Sequence, residues 1–186
     1  MKSEKEKMLT GELYFSGDKE LTAERLQARA LLKKYNSLPE DQPEKLSATL
    51  HDLIPNAGKD LVIQPPFFCD YGYNIKTGEG VYFNFNCVVL DGMQVSIGSC
   101  SMFGPNVQIY TASHPLNAKE RASLLEFSKA IEVGEDVWVG GNVTICPGVK
   151  IGDRAVIGAG SVVTKDIPAD VFAAGNPCKE IKKINQ

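Results

Sequence analysis

The sequence predicts an all-β solenoid, a parallel β-helix of hexapeptide repeats, on three observations. From Val133 to Pro168 the chain runs as six unbroken hexads headed by Val133, Val139, Ile145, Ile151, Ile157 and Val163. The second residue is usually glycine, as at Gly134, Gly140, Gly152 and Gly158. The fourth favours residues that turn a chain, Asp136, Asn142, Gly148, Gly160 and Asp166, with Arg154 the exception. At about 100° per residue, a helix carries a residue repeating every six positions off any single face. Short strands with a turn in each hexad instead stack one branched side chain above the next at about 4.8 Å. Glycine, Asn and Asp at the corners tolerate the left-handed backbone of such turns. That combination describes a solenoid.

The repeat extends upstream. Ile97, Phe103 and Ile109 hold the phase of Val133, while Thr77-Gly78, Phe83 and Val89 continue in sixes two residues out of register. One slip near Leu90-Asp91-Gly92 therefore predicts a bulge or small loop there. The solenoid is expected over residues 58–168.

Residues 1–57 lack hexads and read as helical. Thr22 is expected to cap a helix ending near Tyr35, with Leu26, Ala30, Leu31 and Leu32 inward. Asn36-Ser37-Leu38-Pro39 stops it. Pro43 opens a second helix whose Leu46, Leu50, Leu53 and Ile54 form one apolar stripe. Pro65-Pro66 leads into the solenoid, whose open end needs a cover. The hexads vanish again over 111–130, a length that inside a compact domain is commonly functional. This stretch is expected to project from the coil. Residues 169–186 form a lysine-bearing tail.

The 186 residues are 43% hydrophobic, enough for one well-buried domain with a small appendage. A net charge of −3, with basic residues spread along the chain, argues against a nucleic-acid partner. No run approaches the ~18 apolar residues of a membrane span. The charged start, Met1 to Lys7, lacks the apolar core of a signal peptide. Five cysteines without paired metal spacing, two of them (Cys87 and Cys146) in repeat positions, read as reduced, buried thiols of a cytoplasmic protein. No metal site is expected.

His114 is the leading chemical candidate. It is one of two histidines, lies in the inserted stretch, and precedes Pro115, which favours an extended backbone. An imidazole suits proton removal at neutral pH. On residue type alone, a capped surface histidine fits equally well. His51, beside the stripe of the second helix, reads as a partly exposed helix residue.

Several segments strongly resemble the maltose and galactoside O-acetyltransferases. They are Cys69-Asp70-Tyr71-Gly72-Tyr73-Asn74-Ile75, Phe83-Asn84-Phe85-Asn86-Cys87, Ile109 through His114-Pro115, Val137 to Gly141 and Gly158 to Pro168. The start, Lys5 to Tyr14, looks like maltose acetyltransferase in particular. The resemblance spans nearly the whole chain. It implies a left-handed β-helix, assembled as a homotrimer with active sites between neighbours. It also implies transfer of acetyl from acetyl-CoA to a hydroxyl of a sugar such as maltose or glucose, without a metal. His114 matches the general base, with Glu126 placed to orient it. Gly141 matches a position whose N–H faces the thioester. Asp18, Asp70, Asn84 and, near the slip, Asp91 match acceptor-contacting positions, whose carboxylates and amides suit sugar hydroxyls.

For acetyl-CoA, the resemblance implies the groove near Ala159-Gly160, then Thr164-Lys165, with Lys179 and Lys182 toward the phosphates and Trp138 along the pantetheine arm. The family commonly has arginine at the last two positions, and lysine keeps the charge but not the bidentate fork. Other readings are the same chemistry on a galactoside, oligosaccharide, amino sugar or serine, and a non-catalytic scaffold. A repeat-type carbonic anhydrase would need about three imidazole ligands, and the solenoid offers one histidine.

Overall fold

A computed structural model describes residues 2–185. The helical segment contains α1 (Glu4–Leu9), a short strand β1 (Tyr14–Phe15), α2 (Lys19–Ser37) and α3 (Pro43–Leu53). A first coil follows, β2 (Val62–Ile63), β3 (Phe67–Cys69) and β4 (Ile75–Thr77), then a second, β5 (Tyr82–Phe83), β6 (Cys87–Leu90) and β7 (Val95–Ile97). The third has β8 (Met102–Phe103) and β9 (Gln108–Tyr110), then β10 (Ala112–Ser113), α4 (Ala118–Arg121) and β11 (Leu125–Ser128), and closes with β12 (Ile131–Val133). The fourth is β13 (Trp138–Val139), β14 (Thr144–Ile145) and β15 (Lys150–Ile151). The fifth is β16 (Val156–Ile157) and β17 (Val162–Val163), with Ile167 bridged to Ile151. β18 (Val171–Ala174) starts a sixth, and β19 (Lys179–Lys183) returns antiparallel beside it.

Each of the first four coils contributes one strand to each of three parallel faces, and the later coils extend only some of them. The first face stacks β2, β5, β8, β13, β16 and β18; the second β3, β6, β9, β14 and β17; the third β4, β7, β12 and β15. Two alternate side chains per strand region point inward and are buried, as Val137 and Val139 do. Phe83 lies flat on Phe103 at 4.3 Å between ring centres. Like side chains therefore stack on like along the axis, which is what a period of six requires.

Two backbone features make the corners. One column of left-handed residues comprises Asp60, Gly80, Cys100, Asp136, Arg154 and Asp170, and a second Asn86, Asn106, Asn142 and Gly160. Arg154, the apparent exception, has φ +58° like its neighbours, and its guanidinium grips Asp170 with two bonds of 2.7 and 2.9 Å. Asp166 has no left-handed backbone; its carboxylate accepts the Lys150 N–H at 2.8 Å. The second-position glycines serve a different end. A Cβ on Gly98 would stand 2.4 Å from the Gly134 carbonyl carbon, so neighbouring coils touch backbone to backbone there.

The register contains two slips rather than one. Inward pairs normally follow after four residues, as from Ile63 to Phe67 or Thr77 to Val81. Between the second and third faces the step is six, from Cys69 to Ile75 and from Val89 to Val95. In the third coil the same step runs from Ile109 to Ile131. All extra residues thus leave the coil at one corner. The long insertion adds 18 residues (22 − 4), a whole number of hexads, so the phase downstream is unchanged.

The helical segment differs from expectation in detail. Asp18, not Thr22, caps α2, its Oδ1 accepting from the N–H groups of Glu20 (2.9 Å) and Leu21 (3.4 Å). The inward face of α2 is Leu21, Ala28, Leu32 and Tyr35, while Leu26 is exposed. Tyr35 donates to the Ile63 carbonyl, tying α2 to the first coil. In α3, Pro43 is at the start and Leu50, Leu53 and Ile54 are buried, as expected. The inserted stretch is held rather than free, because β11 sits between β1 and β10 in an antiparallel sheet. Cys87 is buried, whereas Cys146 is only half-buried. No helix among the described residues is long and apolar enough to cross a membrane.

Gly98→Ala is expected to lower thermal stability by about 1–3 kcal/mol through overpacking at the coil contact. Asn142→Gly, at a left-handed corner, should change it by under about 1 kcal/mol. Thermal unfolding of both variants checks this, and equal effects would refute the division of labour between the two positions.

Candidate active site

The corner that extrudes the extra residues builds a cavity of about 400 Å³. Its wall includes Asp70 and Tyr71 from the first coil, Leu90 from the second, Tyr110 and Ala112 from the third, and His114 and Glu126 from the insertion. The helical segment closes it with Tyr14, Ser16, Arg25 and Arg29. That segment therefore shapes the cavity as well as covering the solenoid end.

His114 stands at the rim with its side chain about half exposed. Its Nδ1 lies 3.3 Å from the Leu125 carbonyl oxygen, and its Nε2 lies 3.7 Å from Glu126 Oε2. A proton on Nδ1 satisfies the carbonyl and leaves the Nε2 lone pair free. Glu126 is anchored at its other oxygen, where Tyr14 Oη donates at 2.7 Å. Burial, and then this bond to a carboxylate, push the Tyr14 hydroxyl well above the usual phenol range. It remains a donor.

Asp70 is half-buried in the wall. Burial raises its carboxyl above the usual range, opposed by the Arg25 and Arg29 charges. Arg25 donates to Tyr71 Oη at 2.6 Å and to the Ser16 carbonyl at 2.5 Å, linking α2, the first coil and the strand before it. Burial pushes the Tyr71 hydroxyl up to about 12. Sequence reasoning missed Tyr14, Arg25 and Arg29. The signal was present in the spacing, since Arg25 and Arg29 are one helical turn apart and flank the stripe of Leu21, Ala28 and Leu32.

One acceptor-site expectation needs correction. Asp91 is fully buried, and its carboxylate accepts from the N–H groups of Asp70 (3.0 Å), Tyr71 (2.9 Å) and Gly72 (2.7 Å). Burial, against the opposing Tyr71 and Gly72 N–H bonds, pushes its carboxyl up to about 7. With its acceptor capacity spent on the backbone, Asp91 shapes the turn that presents Asp70 and does not face the cavity. Asp18 caps α2 through Oδ1 and does not line this cavity.

The remaining residues fall on two ridges bordering the second face. His114 and Asp70, with Thr164 and Lys165, lie at its junction with the third face. Asn84, Gly141, Ala159 and Gly160 lie at its junction with the first, each between a first-face and a second-face strand. Asn84 Oδ1 accepts the Phe85 N–H at 2.8 Å. Trp138 projects outward, half exposed, between Met102 and Val156 of neighbouring coils. The register shift in β19 pairs Lys182 with Phe172 and Lys179 with Ala174. Phe172 and Ala174 share the outer side of β18, so both lysines are brought to the side where Trp138 stands. One chain thus does not bring the glycine ridge to His114.

A family model described as the maltose acetyltransferase hexapeptide capping motif matches residues 7–58, and one for the bacterial transferase hexapeptide (six repeats) matches 130–165. Nodulation protein L of Rhizobium meliloti is 47% identical over 178 residues, covering 96% of this chain and 97% of that protein. A crystal structure of a maltose O-acetyltransferase from Clostridium difficile 630 is 46% identical, with a TM-score of 0.98 over 100% of this chain and 99% of that one. The chain belongs to the maltose and galactoside O-acetyltransferase family. It is an acetyl-CoA-dependent acetyltransferase. A galactoside acetyltransferase solved in complex with coenzyme A is also similar, at 36% identity and a TM-score of 0.96, covering 100% of this chain and 92% of that one.

Asp91→Asn would leave the Gly72 N–H facing an amide that donates. We expect a stability loss of about 1–3 kcal/mol and a raised KM for the acceptor as Asp70 shifts. Thermal unfolding and steady-state kinetics check both. An unchanged melting point would show that the carboxylate does not hold the turn.

Proposed function

We propose that the protein transfers acetyl from acetyl-CoA directly to a hydroxyl of a sugar such as maltose or glucose, with His114 as general base. The observation that carries this is the convergence of His114, Glu126 and Asp70 on one cavity of about 400 Å³, a volume suited to a small sugar. The sugar hydroxyl lies against Nε2, which takes its proton as the oxygen attacks the thioester carbonyl carbon. The tetrahedral intermediate then collapses, its carbon–sulfur bond breaks, and the departing thiolate takes the proton from His114. The ester and free coenzyme A result. Proton removal during attack avoids a free alkoxide and is worth roughly 10²–10⁴ in rate. Glu126 steadies the imidazolium between the two steps, and Asp70 with Arg25 and Arg29 supplies acceptors and donors for the other sugar hydroxyls.

The donor side rests on the second ridge. Glycine at 141 leaves its N–H open to an oxyanion, and such a donor is worth roughly 10²–10³ in rate. Trp138 packs along the pantetheine arm over Ala159 and Gly160, while Thr164 and Lys165, on the His114 ridge, form the groove edge from the neighbouring subunit. Lys179 and Lys182 meet the nucleotide phosphates. Because the two ridges stand apart on one chain, the complete site joins the His114 ridge of one subunit to the Asn84 and Gly141 ridge of its neighbour. A closed ring of three such contacts makes a homotrimer with three sites.

His114→Ala is expected to lower kcat by about 10²–10⁴ with little change in acetyl-CoA affinity. The assay is thiol release across maltose, glucose, galactosides, glucosamine and serine, which also ranks the acceptors. Turnover near wild type would remove His114 as the base. Sharing between subunits has its own check, by co-expressing inactive His114→Ala and Asn84→Ala chains. Random assembly should restore activity at about a quarter of the sites. No recovery from mixed trimers would place the whole site on one chain.

A further inference from the structure

We propose that Tyr14 is a positioning residue for the transfer reaction, its buried hydroxyl holding the Glu126 carboxylate where it steadies His114. The inference rests on the reading of His114 as the base. β1 pairs antiparallel with β11, setting Tyr14 opposite Glu126 and Phe15 opposite Leu125. These two partners are the residues that touch the imidazole, Leu125 through its carbonyl and Glu126 through Oε2. A strand of two residues therefore braces both contacts of the base from behind.

The bond from Tyr14 is directional and shielded. Its Oη donates to Glu126 Oε1 at 2.7 Å, leaving Oε2 turned to His114 Nε2 at 3.7 Å. Tyr14 is 1% exposed. A Cβ added at Gly92 would stand 3.2 Å from its hydroxyl, so the solenoid backbone closes that side. Packing alone would be served by phenylalanine. Besides its contact with the Ser128 hydroxyl, the Tyr14 hydroxyl adds the grip on Glu126, whose side chain is 18% exposed and has little water to replace a lost donor.

The brace is itself anchored. Glu4 in α1 accepts the Phe15 N–H at 2.5 Å. Ser3 and Glu6 form a capping box on that helix, and its Met8 is buried with Leu21 and Tyr71. Residues 3–15 thus form a hook from solenoid to insertion, and Tyr14 is its working end.

The test is Tyr14→Phe, alone and combined with Glu126→Ala, measured by thiol release and thermal unfolding. We expect Tyr14→Phe to lower kcat about tenfold, the scale of a hydrogen bond to a charged group. KM for acceptor and acetyl-CoA should stay within about twofold, and the melting point within a few degrees. In the Glu126→Ala background the same substitution should cost less than about twofold, because the group it positions is gone. An unchanged kcat, a change confined to KM, or an equal fall in both backgrounds would each overturn the proposal. A His114→Ala enzyme near wild-type rate would instead refute the reading of the base.

Discussion

The fixed distance between coils governs this molecule. Parallel strands stack at about 4.8 Å, and at Gly98 the backbone of the next coil comes so close that no Cβ fits. Nothing can be inserted between coils, and little can be changed within a face. Inward positions must repeat in shape, hence the branched residues of the late coils and the Phe83–Phe103 stack of the early ones. Variation has one outlet, sideways at a corner.

The chain uses one corner for that purpose. Two residues leave after β3, two after β6 and 18 after β9, all at the junction of the second and third faces. The three departures are stacked, so they assemble into one wall although they lie some 20 residues apart in sequence. Asp91, from the second departure, fixes the first through three backbone bonds and thereby presents Asp70. The third departure carries His114 and Glu126, and β1 secures it through β11. A rigid scaffold with an irregular corner positions groups more tightly than a free loop would.

The solenoid was legible because its period is written in every hexad from Val133 onward. The second helix was legible from Pro43 and its apolar stripe. The insertion hid its effect on register by being a multiple of six long, and the slip near Asp70 was masked because short apolar runs look alike in either phase. Leu26 was misplaced because hydrophobicity was read without Ala28 and Tyr35, which complete the real inward stripe. His114 stood out by rarity, whereas Tyr14 looked like any aromatic near a terminus. Its meaning depends on pairing with a strand 112 positions away, which no local pattern announces. Asp91 misled in the opposite way, since a carboxylate beside a predicted irregularity looks functional until its backbone partners are seen.

A parallel solenoid is also an unfinished fibre, for its last coil offers the same ladder as every coil before it. Here α2 and α3 cover the leading end. At the trailing end, the turn from Gly175 to Cys178 takes both bonds of Val162, and β19 lies antiparallel along β18 with its register broken. Its sequence, Lys-Glu-Ile-Lys-Lys, places charge where another coil would dock, a recognised defence of strand edges. The charged tail thus guards the trailing end against the docking of another coil.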